Sequence, residues 1–261
     1  MRRAFTALAC CVAVVAAGAE SAGQRISFVS CPIVRDTRTV PCWLAEHRGQ
    51  IYFLTLQTDV SAPVTPPWLG HKVLVEGVVS DKPDICGGRV IEPVTLSVLP
   101  ELDASCNTML PAEDRYELGF EPPRPPGPSR GRLAFGDPVT RNAGPDVTER
   151  RVTLRYEFDG KVMFRHAGNL QRIFDTARTN GASEVRITAY RSASRLSDGT
   201  VMRERESIGR ERAEQIRELL EGAGLEGVKY SVSWRDLSKK PDGSAADFEN
   251  RRADVEIIGG R

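Results

Sequence analysis

The sequence has few residues placed to break bonds and many able to hold a carboxylate. It contains no Gly-x-Ser-x-Gly elbow and no His-Glu-x-x-His pair, the local patterns that build a serine nucleophile or a zinc hydrolase. Its histidines, His47, His71 and His166, are scattered, and no two cysteines stand as Cys-x-x-Cys, so no metal site is expected. Arginine, by contrast, clusters. Ala189-Tyr190-Arg191-Ser192-Ala193-Ser194-Arg195-Leu196-Ser197-Asp198-Gly199 leaves a strand-like run for a polar loop, and Arg205, Arg210 and Arg212 follow. Near the end stands Asn250-Arg251-Arg252. A guanidinium is a planar fork that grips a carboxylate bidentately, so these residues suit noncovalent recognition by a non-enzymatic protein without a cofactor. Each also has a plainer use. Arg212 can pair with Glu211 or Glu206, Asp198-Gly199 is a common turn pair, and Asn250 can cap a turn while the arginines beside it meet acidic neighbours.

The chain that positions them is long enough for two domains, at 261 residues. Its 40% apolar and 27% charged content fits a globular protein, and a formal charge of +1 gives no global field for nucleic acid. The first 19 residues read as a signal peptide. Arg2 and Arg3 precede the apolar run Ala4 to Ala17, and Ala17-Gly18-Ala19 offers a small-residue cleavage pattern, with Ala22 as a second cut. The run is shorter than the roughly 20 apolar residues of a spanning helix. Lipidation at Cys10, after Leu8-Ala9, is the minor alternative. Export to the periplasm follows, with outer-membrane association as an option.

In an oxidising compartment Cys31, Cys42, Cys86 and Cys106 suggest two disulfides, in one of three connectivities. Proximity in sequence favours Cys31–Cys42 with Cys86–Cys106. All four lie in the first half, whose residues 24–112 read as short strands. Cys42-Trp-Leu-Ala-Glu, the turn His47–Gln50 and Ile51–Leu56 form a hairpin. Val73 to Val79 alternate around Gly77, a bulge or bend, and Arg89–Glu92 and Val94–Leu99 supply more strand. The expectation is a small β-barrel or sandwich. The segment Gly70 to Asp81 resembles the middle strand of an OB-fold, but no aromatic row with flanking cations suggests base stacking. Residues 113–149 form a linker, with Pro-rich Glu121 to Ser129 extended and stiff.

The second half alternates strand and helix signals. Val152, Leu154, Tyr156 and Phe158 share one strand face, and Leu170, Ile173, Phe174 and Ala177 form a helical stripe. Val185, Ile187 and Ala189 mark a second strand, and residues 202–221 a second helix. Val228 to Trp234 and Ala253 to Ile257 complete a β-α-β-α-β-β order. The whole chain is therefore α+β, with an α/β sandwich at 150–259.

That order, with Arg212-Ala213 in the second helix and Asn250-Arg251-Arg252 before the last strand, resembles the OmpA-like C-terminal domain family. Tyr156-Glu-Phe158-Asp159 is similar to the family's Phe-Asp opening. The resemblance implies binding to cell-wall peptidoglycan, through the zwitterionic diaminopimelate of its stem peptide. An Asp after the second strand takes the ammonium, and the Arg of the Arg-Ala pair takes the carboxylate. Carried onto this chain, the expected binding set is Arg212, Ser192, Asp198, Tyr190, Asn250 and Arg251. The pattern is altered. Ser192 stands where the Asp belongs, Arg191 replaces a Thr, Arg205 replaces an Asn, and the loop is longer, with Asp198 able to return the acid. A pocket enriched in Arg191, Arg195 and Arg205 could instead take an anionic ligand or an acidic protein. The N-terminal half would bind an envelope partner or brace the protein.

Overall fold

A computed structural model of the chain describes residues 20–57, 64–116, 150–162, 167–237 and 240–259. Residues 1–19, read above as a signal peptide and including Cys10, and residues 117–149 of the expected linker lie outside the described residues. Seven strands make the first sheet: β1 (Arg25–Ser30), β2 (Pro32–Arg35), β3 (Cys42–His47), β4 (Gln50–Leu56), β5 (His71–Val79), β6 (Arg89–Leu102) and β7 (Thr108–Leu110). Their order is β1-β5-β6-β4-β3-β2-β7. Among the described residues the sheet is open, with β1 and β7 at its edges, where a barrel or a sandwich was expected. The β3–β4 hairpin turns on Arg48 and Gly49, both with positive φ (53° and 79°), the twist that suits a two-residue hairpin loop. Gly77 sits where β5 and β6 change register. A Cβ there would lie 2.3 Å from the Ile91 side chain and 2.5 Å from the Pro93 carbonyl, so only glycine fits. Alternation along β3 sends Trp43 and Ala45 to one core and Cys42 and Leu44 to another.

The cysteines pair across strands, as Cys31–Cys106 and Cys42–Cys86, and the sequence-neighbour pairing is corrected. The reason is topological. Cys31 and Cys106 flank the paired strands β2 and β7, and Cys42 opens β3 beside the β4–β6 pair reached by the Cys86 turn. Their Cα separations, 4.8 and 6.5 Å, lie within bridging range.

After a 3₁₀ turn (Asp114–Tyr116), the second half contains β8 (Arg151–Arg155), α1 (Ala167–Thr179), β9 (Glu184–Arg191), α2 (Ile208–Gly222), β12 (Lys229–Asp236) and β13 (Arg252–Ile258). Between them lie a hairpin of β10 (Ala193–Arg195) and β11 (Val201–Arg203), and a short helix α3 (Ala245–Glu249). The main sheet runs β12-β9-β13-β8, with β12 and β9 parallel. Val185, Ile187 and Ala189 of β9 pack with Ala213, Ile216 and Leu220 of α2 and Ile173 and Ala177 of α1. The expected order of strands and helices is present, but α2 starts at Ile208. Residues 201–203 pair with 193–195 instead of joining the helix.

The two halves are in contact. Ser27 of edge strand β1 donates its N–H to Ser197 Oγ (2.9 Å) and accepts the Ser197 N–H at its carbonyl (2.7 Å). Phe158 N–H reaches Ser97 Oγ at 2.9 Å.

Candidate functional site

Arg212 projects from α2 into the gap between the end of β9 and the turn that follows β8. Its side chain is completely buried, a costly place for a charge unless it is paired and hydrogen-bonded. It is both. Nε donates to Gly160 O (2.8 Å), Nη1 to Tyr190 O and Glu204 Oε2 (both 3.1 Å), and Nη2 to Glu157 O (3.1 Å) and Glu204 Oε1 (2.6 Å). All five guanidinium donors are used. The ring of Tyr156 lies 4.6 Å from Cζ, and burial raises the Tyr156 phenol, with Arg212 opposing it.

Glu204, also fully buried, is the other half of this constellation. Besides the Arg212 fork, it accepts the N–H groups of Ser192 (2.8 Å, at Oε2) and Asp159 (3.0 Å, at Oε1). Four donors therefore converge on one carboxylate. The sequence signal for it was weak, an acid eight residues before Arg212 in a run of alternating Arg and Glu. Asp159 seals the rim. Burial pushes its carboxyl above the ordinary range, and the bond from Arg205 N–H (2.8 Å) pulls against this.

The other expected residues are dispersed. The Ser192 side chain is buried beside Glu204, offering the site its N–H. Tyr190 turns its ring to the opposite side of the sheet, 4.7 Å from the Arg252 guanidinium and 6.0 Å from that of Arg235. Asp198 lies in the exposed hairpin turn, where Oδ1 accepts from the N–H and hydroxyl of Thr200 (2.8 and 2.7 Å). Those bonds hold its carboxyl below the usual range. Nothing in this conformation joins Asp198 to Arg212. Asn250 caps the end of α3 and accepts from Arg252 Nη1 at 3.1 Å.

Arg251 belongs to a second buried network. It has no exposed surface, pairs through Nη2 with Glu76 of β5 and donates through Nη1 to Ser194 Oγ (3.3 Å). Ser194 in turn donates to Glu76 (3.0 Å), and the rings of Phe248 and Phe158 lie 5.0 and 5.8 Å from the guanidinium. The first half thus supplies the acid that neutralises a cation of the second. The loop arginines are similarly engaged. Arg191 pairs with Asp236 (3.1 Å) and Arg205 with Glu211 (2.7 Å). Ser207 first, and Arg205 after it, hold the Glu211 carboxyl low. Arg195 is different: no described acid pairs with its side chain.

Among the described residues no group of three His, Cys, Asp or Glu could hold a metal ion, and no helix is long and apolar enough to cross a membrane.

Part of the chain is similar to OmpA-like and MotB-like proteins of known structure. An OmpA-like domain of FopA1 from Francisella tularensis aligns at 12% identity over 42% of this chain and 73% of that one, with a TM-score of 0.33. A putative MotB like protein from Desulfovibrio vulgaris aligns at 13% identity, over 43% of this chain and 77% of its own, with the same TM-score of 0.33. The cell wall anchor of the T6SS from Pseudomonas aeruginosa aligns at 17% identity over 42% and 80%, again at 0.33. No family model matches the sequence. No curated protein matches it either.

Proposed function

We propose that this is a non-enzymatic, exported cell-envelope protein that associates with peptidoglycan through residues 150–259, with the first half as a disulfide-stapled brace. The observation that carries this reading is the convergence of the Arg212 fork and two backbone N–H groups on one carboxylate. Such an arrangement recognises a carboxylate of any origin. Here the chain's own Glu204 fills it. A stem-peptide carboxylate reaching Arg212 has to displace Glu204, so wall affinity through this site is lower than that of a site left open. The ammonium contact is weakened as well, since Ser192 is neutral and Asp198 is held in its own turn.

Sedimentation with purified sacculi tests the proposal. Wild type is expected to co-sediment weakly, Glu204→Ala more strongly, and Arg212→Ala less. Circular dichroism on each variant separates loss of binding from loss of fold. If wild type and a folded Arg212→Ala sediment equally, binding through this site is wrong. The alternative, an anionic ligand held by the loop arginines, gains nothing from Arg191 or Arg205, whose charges are already met. Arg195 alone keeps it open.

A further inference from the structure

A cleft of about 230 Å³ lies on the seam between the two halves, lined by Gln24, Arg25 and Ser27 from the start of the first sheet, Arg195 and Ser197 from the hairpin, and Asp242. Three observations set it apart from ordinary polar surface. Arg25 and Arg195 both face it, and neither side chain has an acidic partner among the described residues, whereas Arg212 and Arg217 of α2 each do. Ser27 is only 6% exposed, and its hydroxyl has no hydrogen-bond partner. A buried hydroxyl without a partner is uncommon because it forfeits its hydrogen bonds to water. Ser197 Oγ accepts the Ser27 N–H, which leaves its own O–H free to donate.

We infer that this cleft is a binding site for a single carboxylate carried on a small polar body, of the kind a peptide's C-terminal end presents. Two guanidinium groups and two hydroxyls supply the donors that a carboxylate accepts. Asp242 sets the charge. With one acid among two arginines the lining carries a net +1, which complements a monoanion and works against a phosphate dianion. The volume falls below the roughly 300 Å³ lower end of pockets for drug-sized ligands, so the site takes a terminal group rather than a large molecule. On binding, the Ser27 hydroxyl, closed to water in the free protein, turns to the carboxylate, which bridges β1 to the β10–β11 hairpin, so its binding tightens the junction of the halves. None of the residues around Arg212 takes part, and this site stands whether or not the wall-binding proposal holds.

The test is NMR titration of the ¹⁵N-labelled full chain with N-acetylglycine at constant ionic strength, with N-acetylglycinamide, inorganic phosphate and chloride as separate arms. N-acetylglycine is expected to shift the Ser27, Ser197 and Gly243 amides saturably, phosphate less, and the uncharged amide and chloride not at all. Arg25→Gln and Arg195→Gln each weaken binding about tenfold, the effect of losing one charge-assisted bond. Ser27→Ala gives the sharper signature. It weakens binding while leaving thermal stability of the free protein equal or higher, because it removes a hydroxyl that the free protein does not satisfy. Equal shifts with chloride or the amide, or unchanged binding in the Arg25→Gln/Arg195→Gln double variant, overturn the assignment. Tighter binding of phosphate keeps an anion site but refutes the carboxylate.

Discussion

Removing the carboxylate of Glu204, which directly follows β11, should destabilise the protein strongly. In Glu204→Ala, Arg212 stays buried with its charge unpaired, and the N–H groups of Ser192 and Asp159 lose their acceptor. Breaking a buried ion pair from one side costs about 3–5 kcal/mol. The two stranded N–H groups would each add about 1–3 kcal/mol if they stayed dry. Water entering the vacated space offsets part of this, and the three carbonyls on Arg212 persist. A net loss of about 4 kcal/mol is expected, which for a protein of this size lowers Tm by roughly 8–16 °C. Urea unfolding with an unchanged m-value measures it. Arg212→Ala added to Glu204→Ala should cost clearly less than the sum of the two, since the residues contact each other directly. If Glu204→Ala lies within about 1 kcal/mol of wild type, or the cycle is additive, the pair is not the closed, dry unit described, and the argument about a filled site fails with it.

Peptide mapping of the oxidised protein should recover Cys31–Cys106 and Cys42–Cys86, and replacing either pair by serine should cost about 4 kcal/mol by loop-closure entropy, read as a lower urea midpoint. Gly77→Ala should destabilise by about 1–3 kcal/mol or more, because its Cβ meets Ile91 and the Pro93 carbonyl with no room to move; calorimetry detects it. The His47 imidazole, stacked on Phe28 at 4.5 Å, is held below its ordinary 6.5 by burial, with Glu20 opposing. The unfolded chain therefore binds more protons there, so His47 contributes stability above about pH 6.5 that is lost as pH falls through that value toward the lower folded one. Urea midpoints at about pH 5 and pH 7.5 should differ less in His47→Gln than in wild type.

Much of the fold was legible because apolar periodicity reports burial directly. The alternation at Val185, Ile187 and Ala189, and the stripe at Ile173 and Ala177, were visible before any contact was known. The β10–β11 hairpin was not legible: its strands are only three residues each, too short to show a period, and its pairing is held by backbone bonds that no side-chain pattern announces. The disulfide partners depend on which strands lie side by side, information that sequence distance does not contain. The same applies to the site. Arg212 was evident from its setting in Arg-Ala, but Glu204 is one of many acids in an Arg/Glu-rich run, and only the fold shows which one turns inward. Arg251 offered a plausible ligand contact in sequence, yet its counter-ion, Glu76, lies in the other half of the chain, beyond any local motif.

The bond pair between Ser27 and Ser197 bears on how the protein can be divided. Among the described residues strand β1 is the outer strand of its sheet, and the hairpin loop occupies one station along its outer side. A fragment ending at residue 116 would bare that station and expose Glu76 without its cation, so it would offer other chains an adhesive strand. The complementary fragment would carry Arg251 with no acid beside it. Expressed apart, the halves are therefore each less soluble and less stable than when joined, and mixing them should restore a one-to-one complex through the same seam.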